Sequence, residues 1–223
     1  MVSQLHSQVD TLVRLGYPNF FAMTAKEFEE SLRPLEQFVA ISDGMRFDPS
    51  NGRMPFVLVV RSARTPVAVT LPLVSRRGKL AIERLYPKKP DDFTPIPSVS
   101  LPEGDAYLLR EVDRGSETLN VTPDEAYQTI LRQGRSPLTV EEGVAVLTQF
   151  AEFLQPNNCF LLLASRCGDK RVPAFWLSQN RPKLGWCWAG NPHTWLGSAS
   201  CAERVGTADL AAPVPVMRRP TPA

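Results

Sequence analysis

The chain has no run approaching the ~18 consecutive apolar residues of a membrane-spanning helix, so no membrane span is expected. Its start, Met1-Val2-Ser3-Gln4-Leu5-His6, has neither the basic residues nor the apolar core of a secretory signal, which makes cytoplasmic residence the expectation. Histidine is confined to His6 and His193. The four cysteines (Cys159, Cys167, Cys187 and Cys201) lack the close Cys-x-x-Cys pairs that structural zinc favours, so free thiols and no metal are expected. No phosphate-binding loop, dinucleotide fingerprint, His-Glu-x-x-His or nucleophile elbow occurs, and no cofactor is expected.

What is present fits a globular protein: 43% hydrophobic and 22% charged residues over 223 positions. Proline is high at 21, with five between Pro87 and Pro102 and four between Pro213 and Pro222. The net charge of +2 hides an asymmetry. Residues 61–89 carry eight Lys or Arg against Glu83, whereas residues 103–125 carry seven acids against Arg110 and Arg114. Such stretches can form a binding face or pair with each other. A nucleic-acid role, which calls for a net basic domain, is not expected.

The chain reads as a doubled unit. Phe56–Arg61 recurs as Phe160–Ser165 and Arg77–Leu80 as Arg181–Leu184, both 104 residues later. Leu12–Gly16 answers Ile130–Gly134, and Thr24-x-x-Glu27 answers Thr139-x-x-Glu142. Each copy reads helix, helix, strand, strand, strand. In the first, Leu5, Val9, Leu12 and Val13 form a helical stripe closing at Gly16, and Thr24 with Glu27 caps a second helix that Pro34 kinks or ends. Phe56–Arg61, Val67–Val74 and Leu80–Leu85 are its expected strands. In the second, Thr122-Pro123-Asp124-Glu125 and Thr139-x-x-Glu142 start two helices, before strands at Cys159–Ser165, Ala174–Ser178 and Leu184–Ala189. Strands apolar at every position, such as Phe56–Val60, need cover on both faces. The expectation is an α+β fold of two ααβββ units related by a pseudo-twofold axis, with antiparallel sheets flanked by helices. Residues 1–86 form the first copy and 119–206 the second. Residues 87–118 form a proline-rich and acidic connector with a linking strand at Ala106–Val112, and 207–223 a disordered tail.

The copies part at the exit of the last strand. All four tryptophans lie within Trp176–Trp195, together with His193. Period two puts Leu184, Trp186 and Trp188 on one strand face and Gly185, Cys187 and Ala189 on the other, a small face suited to close approach. The tryptophans suit core packing. They also suit an aromatic wall beside a ligand site, with Trp186, Trp188, Asn191, His193, Trp195, Ser198 and Ser200 as candidate binding residues. Ser200 with Glu203 fits a capping box that would start a helix at Cys201 and lower its thiol pKa, and His193 would then be its base. The preferred expectation is a soluble binding or interaction protein whose Trp186–Cys201 segment meets a small molecule or a protein partner. The alternative is a cysteine-dependent enzyme with Cys201 as nucleophile.

Ser136-Pro137-Leu138-Thr139-x-Glu141-Glu142-Gly143, Asp169-Lys170-Arg171-Val172-Pro173-Ala174 and above all Gly185-Trp186-Cys187-Trp188-Ala189-Gly190-Asn191-Pro192-His193-Thr194-Trp195-Leu196-Gly197 resemble a family of bacterial proteins of unknown function, associated with high-GC Gram-positive bacteria. The resemblance implies a soluble cytoplasmic protein and carries no catalytic residue with it.

Overall fold

The computed structural model describes residues 1–39 and 46–207. The expected disordered tail lies, apart from Thr207, outside the described residues. The principal elements are helices α1 (Val2–Arg14), α2 (Ala25–Leu32), α3 (Pro123–Arg132) and α4 (Val140–Gln149). The principal strands are β1 (Arg53–Val60), β2 (Ala106–Asp113), β3 (Cys159–Leu161), β4 (Arg171–Ser178), β5 (Arg181–Trp188), β6 (Leu196–Ser198), β7 (Ser200–Cys201) and β8 (Glu203–Gly206). No described helix is long and apolar enough to cross a membrane.

The α+β expectation holds, with two five-stranded sheets. In the first, β2 is central: β1 pairs antiparallel along one side, and β8 with Ser200 of β7 along the other. In the second, β3, β4 and β5 are antiparallel neighbours. There β6 lies parallel to β3, and Ile82–Glu83 parallel to β5. Gln179 and Asn180 have positive φ at the β4–β5 turn, the hairpin geometry that matches strand twist.

The uniformly apolar β1 divides its side chains between two cores. Phe56 and Leu58 join Leu5, Val9, Leu12, Phe28 and Leu32 of the N-terminal helices. Met54, Val57 and Val59 join the larger core with Val144 and Leu147 of α4. Both faces are therefore covered, as such a strand requires. The free edge of β1 is covered too: buried Gln8 on α1 accepts a 2.7 Å hydrogen bond from the Leu58 N–H. The Thr24, Thr122 and Thr139 caps all form with their glutamates. Glu142 does more than cap. Fully buried, it also accepts from Arg204 on β8 at 2.6 and 2.8 Å and from the Tyr107 hydroxyl on β2 at 2.9 Å, tying α4 to the first sheet.

The symmetric doubling is not what the chain builds. Val67–Val74, expected as a strand, is a short helix, Val67–Thr70, running into a 3-10 turn, Leu71–Leu73. Pro66 precedes the first turn, and Pro72 has no N–H for a sheet ladder, so two prolines override the β-branched run. Leu80–Leu85 contributes only the two-residue pieces Lys79–Leu80 and Ile82–Glu83. The counterpart strands also pair differently, β1 at a sheet edge and β3 inside the other sheet. Ala106–Val112, expected as a linking strand in a connector, lies in β2 at the centre of the first sheet.

Candidate functional site

Strand β5 emerges from the core along its length. Leu184 is fully buried, Trp186 is half-buried, and Trp188 is 42% exposed. The β4–β5 register sets Arg171 directly opposite Trp188. Its guanidinium lies 4.6 Å from the Trp186 ring centroid and 4.9 Å from that of Trp188, while the two indoles meet edge-on at 4.9 Å. Cation–π attraction therefore holds Arg171 on both rings. Asp169 fixes the arginine at 2.5 Å and is itself 3.5 Å from Lys88. The Arg171 backbone N–H, then the Cys167 thiol and the Arg171 guanidinium, hold the Asp169 carboxyl down at about 2. The Trp186 indole N–H donates at 3.3 Å to the carbonyl of Tyr86, whose own side chain is 87% exposed. On the other face of β5, a Cβ on Gly185 would sit 2.1 Å from the Trp176 ring. The small face is real, and a tryptophan from the neighbouring strand fills it.

Beyond β5 the chain turns at exposed Asn191 and packs on the 118–121 loop, where the Asn120 N–H donates to the His193 carbonyl at 2.9 Å. The His193 ring lies 5.4 Å from that of Trp195, tilted by 53°, with its Nε2 enclosed and without a hydrogen-bond partner. Strand β6 then completes the second sheet, and β7 enters the first. The 196–201 segment is thus the bridge between the sheets.

Two expectations fail here. Ser200 caps no helix: Ser200–Cys201 is a strand, and Glu203 begins the next. Cys201 has no exposed surface, and burial pushes its thiol up to about 12. An uncharged, enclosed sulfur at mid-sheet is no nucleophile, so the pairing with His193 loses its chemical basis.

The candidate residues separate into two places. Trp186 and Trp188 form the aromatic end of the second sheet. Ser198 and Ser200 form a buried polar floor, where the Ser198 N–H donates to Thr118 Oγ1 at 2.8 Å and Ser200 Oγ accepts from Arg135 Nε at 2.9 Å. The sequence reading missed Tyr86, Lys88 and Arg171 at the first place and Thr118 and Arg135 at the second. Only strand register and inter-sheet crossings bring them in, and neither leaves a local signal. Among the described residues no ion pair joins the basic 61–89 stretch to the acidic 103–125 stretch, and the basic stretch's one ion pair is Lys88–Asp169.

A family model described as a family of unknown function (DUF5701) matches residues 11–207, a span that includes both places. No curated protein and no solved structure matches the chain.

Proposed function

We propose that this chain, which belongs to that family, is a non-catalytic cytoplasmic binding protein whose aromatic end of β5, with the exit loop that follows, meets a partner protein. The observation carrying this reading is the placement of Trp188 and Tyr86. Large aromatic side chains normally bury, and Trp188 and Tyr86, both left open and both linked to Trp186, with a cation against the two indoles, resemble the anchors of a binding surface. The surroundings set the partner's chemistry. Residues 84–89 and 166–171 carry six Lys or Arg and one acid, Asp169, which Arg171 and Lys88 neutralise. A surface presenting carboxylates around an apolar side chain complements this end.

The partner recovered with the protein from its own host should protect Trp188 and Tyr86 from hydroxyl-radical oxidation. Equal oxidation of both residues with and without that partner would contradict the assignment.

A further inference from the structure

A cleft of about 200 Å³ opens between the 113–118 loop, the C-terminal end of α3 and the bridge between the sheets, and it shares no lining residue with the aromatic end. Its floor is made of hydroxyls. Thr118, Ser198 and Ser200 line it, all three buried. Ser198 is 1% exposed, and its hydroxyl has no hydrogen-bond partner. A buried hydroxyl left unpaired costs free energy, and Ser198 is one of the residues that line the cleft. The floor is also rigid. Gly115 and Gly197 let two backbones cross at near contact: a Cβ on Gly115 would lie 2.2 Å from the Ser198 carbonyl oxygen, and one on Gly197 2.4 Å from that of Gly115.

The rim carries charges of both signs that are not spent on each other. Arg135 is held by Ser200 Oγ at 2.9 Å and the Glu111 carbonyl at 2.5 Å, and it makes no ion pair among the described residues. Glu117, exposed on the rim, accepts a 3.4 Å hydrogen bond from the Gln133 amide and also makes no ion pair among the described residues. Asp113, by contrast, is 3.5 Å from Arg53. One cleft therefore presents an unneutralised guanidinium, an unneutralised carboxylate and a buried hydroxyl in want of a partner.

We propose that this cleft binds a small zwitterion of the free amino acid class, its carboxylate on Arg135 and the Ser198 hydroxyl and its ammonium on Glu117. Size agrees: at about 30 Å³ per water, the cleft has room for a molecule of several heavy atoms. Charge agrees as well. A simple carboxylate or a phosphate would leave Glu117 unanswered, and a simple amine would leave Arg135. The site is independent of the aromatic end, so either assignment can fail alone.

The test is isothermal titration of the full chain with each of the twenty amino acids at up to about 10 mM, alongside acetate, methylamine and inorganic phosphate. At least one amino acid should bind, and acetate and methylamine should not. Ser198→Ala removes a hydroxyl that bonds to nothing and Glu117→Gln an exposed charge, so both variants should melt as wild type does while binding falls about tenfold or more. Trp188→Ala should leave this binding unchanged. Failure of every amino acid to bind, undiminished binding in both variants, or tighter binding of phosphate would each overturn the proposal.

Discussion

The Cys201 sulfur separates two functional readings of one residue. From the sequence alone Ser200-Cys201-Ala202-Glu203 can start a helix with a reactive thiol or continue a strand with an inert one, and only the pairing of Ser200 with Asp113 and Pro137 decides. Buried and pushed up to about 12, Cys201 stays protonated near neutral pH, so iodoacetamide should modify it only on unfolding. Peptide mapping of the alkylated native protein checks this, and rapid native labelling of Cys201 would count against it. Asp169 behaves in the opposite sense. Its folded pKa of about 2 lies below the ordinary value near 3.9, so its stabilisation is complete above that value and disappears as pH falls through about 2. The gap in melting temperature between wild type and Asp169→Asn should be full at pH 6, narrow below about pH 4 and close near pH 2. A gap independent of pH would show that the Asp169 charge plays no part. At this scale the tryptophan cluster was legible because rare residues crowd one segment. Arg171 was not, since its place against two indoles follows from register across a hairpin.

Helix starts were the most legible elements, because a cap is a local bargain between a side chain and a backbone N–H three residues on. Thr24, Thr122 and Thr139 all keep it. Their burial differs, and so should their worth. Thr122→Ala, at an exposed cap, should cost about 1 kcal/mol. Thr139→Ala should cost about 2 kcal/mol or more, because Thr139 is fully buried and its partner Glu142 anchors Arg204. Urea unfolding of both variants measures the difference, and equal losses would contradict it. Val67–Val74 was illegible for the converse reason. Its composition favours a strand, but proline placement and burial of Val67 and Leu71 in the core favour a helix, and tertiary packing decides.

At the scale of the whole molecule, the periodic repeats led to two units, whereas the strands interleave. The first sheet takes β1, β2 and β8 from widely separated parts of the chain, and the second takes Ile82–Glu83 beside β5. Class and helix order are local properties and were readable; the centrality of Ala106–Asp113 depends on long-range pairing and was not. A fragment of residues 119–206 lacks the strand that β8 pairs with, so it should show no cooperative unfolding transition by circular dichroism. A sharp transition would restore the two-unit view. The aromatic end of β5 carries the functional account, and native mass spectrometry of the protein drawn from its own host tests it most directly. Wild type and Cys201→Ala should both carry a bound partner, and Trp188→Ala should emerge bare. A partner lost from Cys201→Ala but retained by Trp188→Ala would contradict the account.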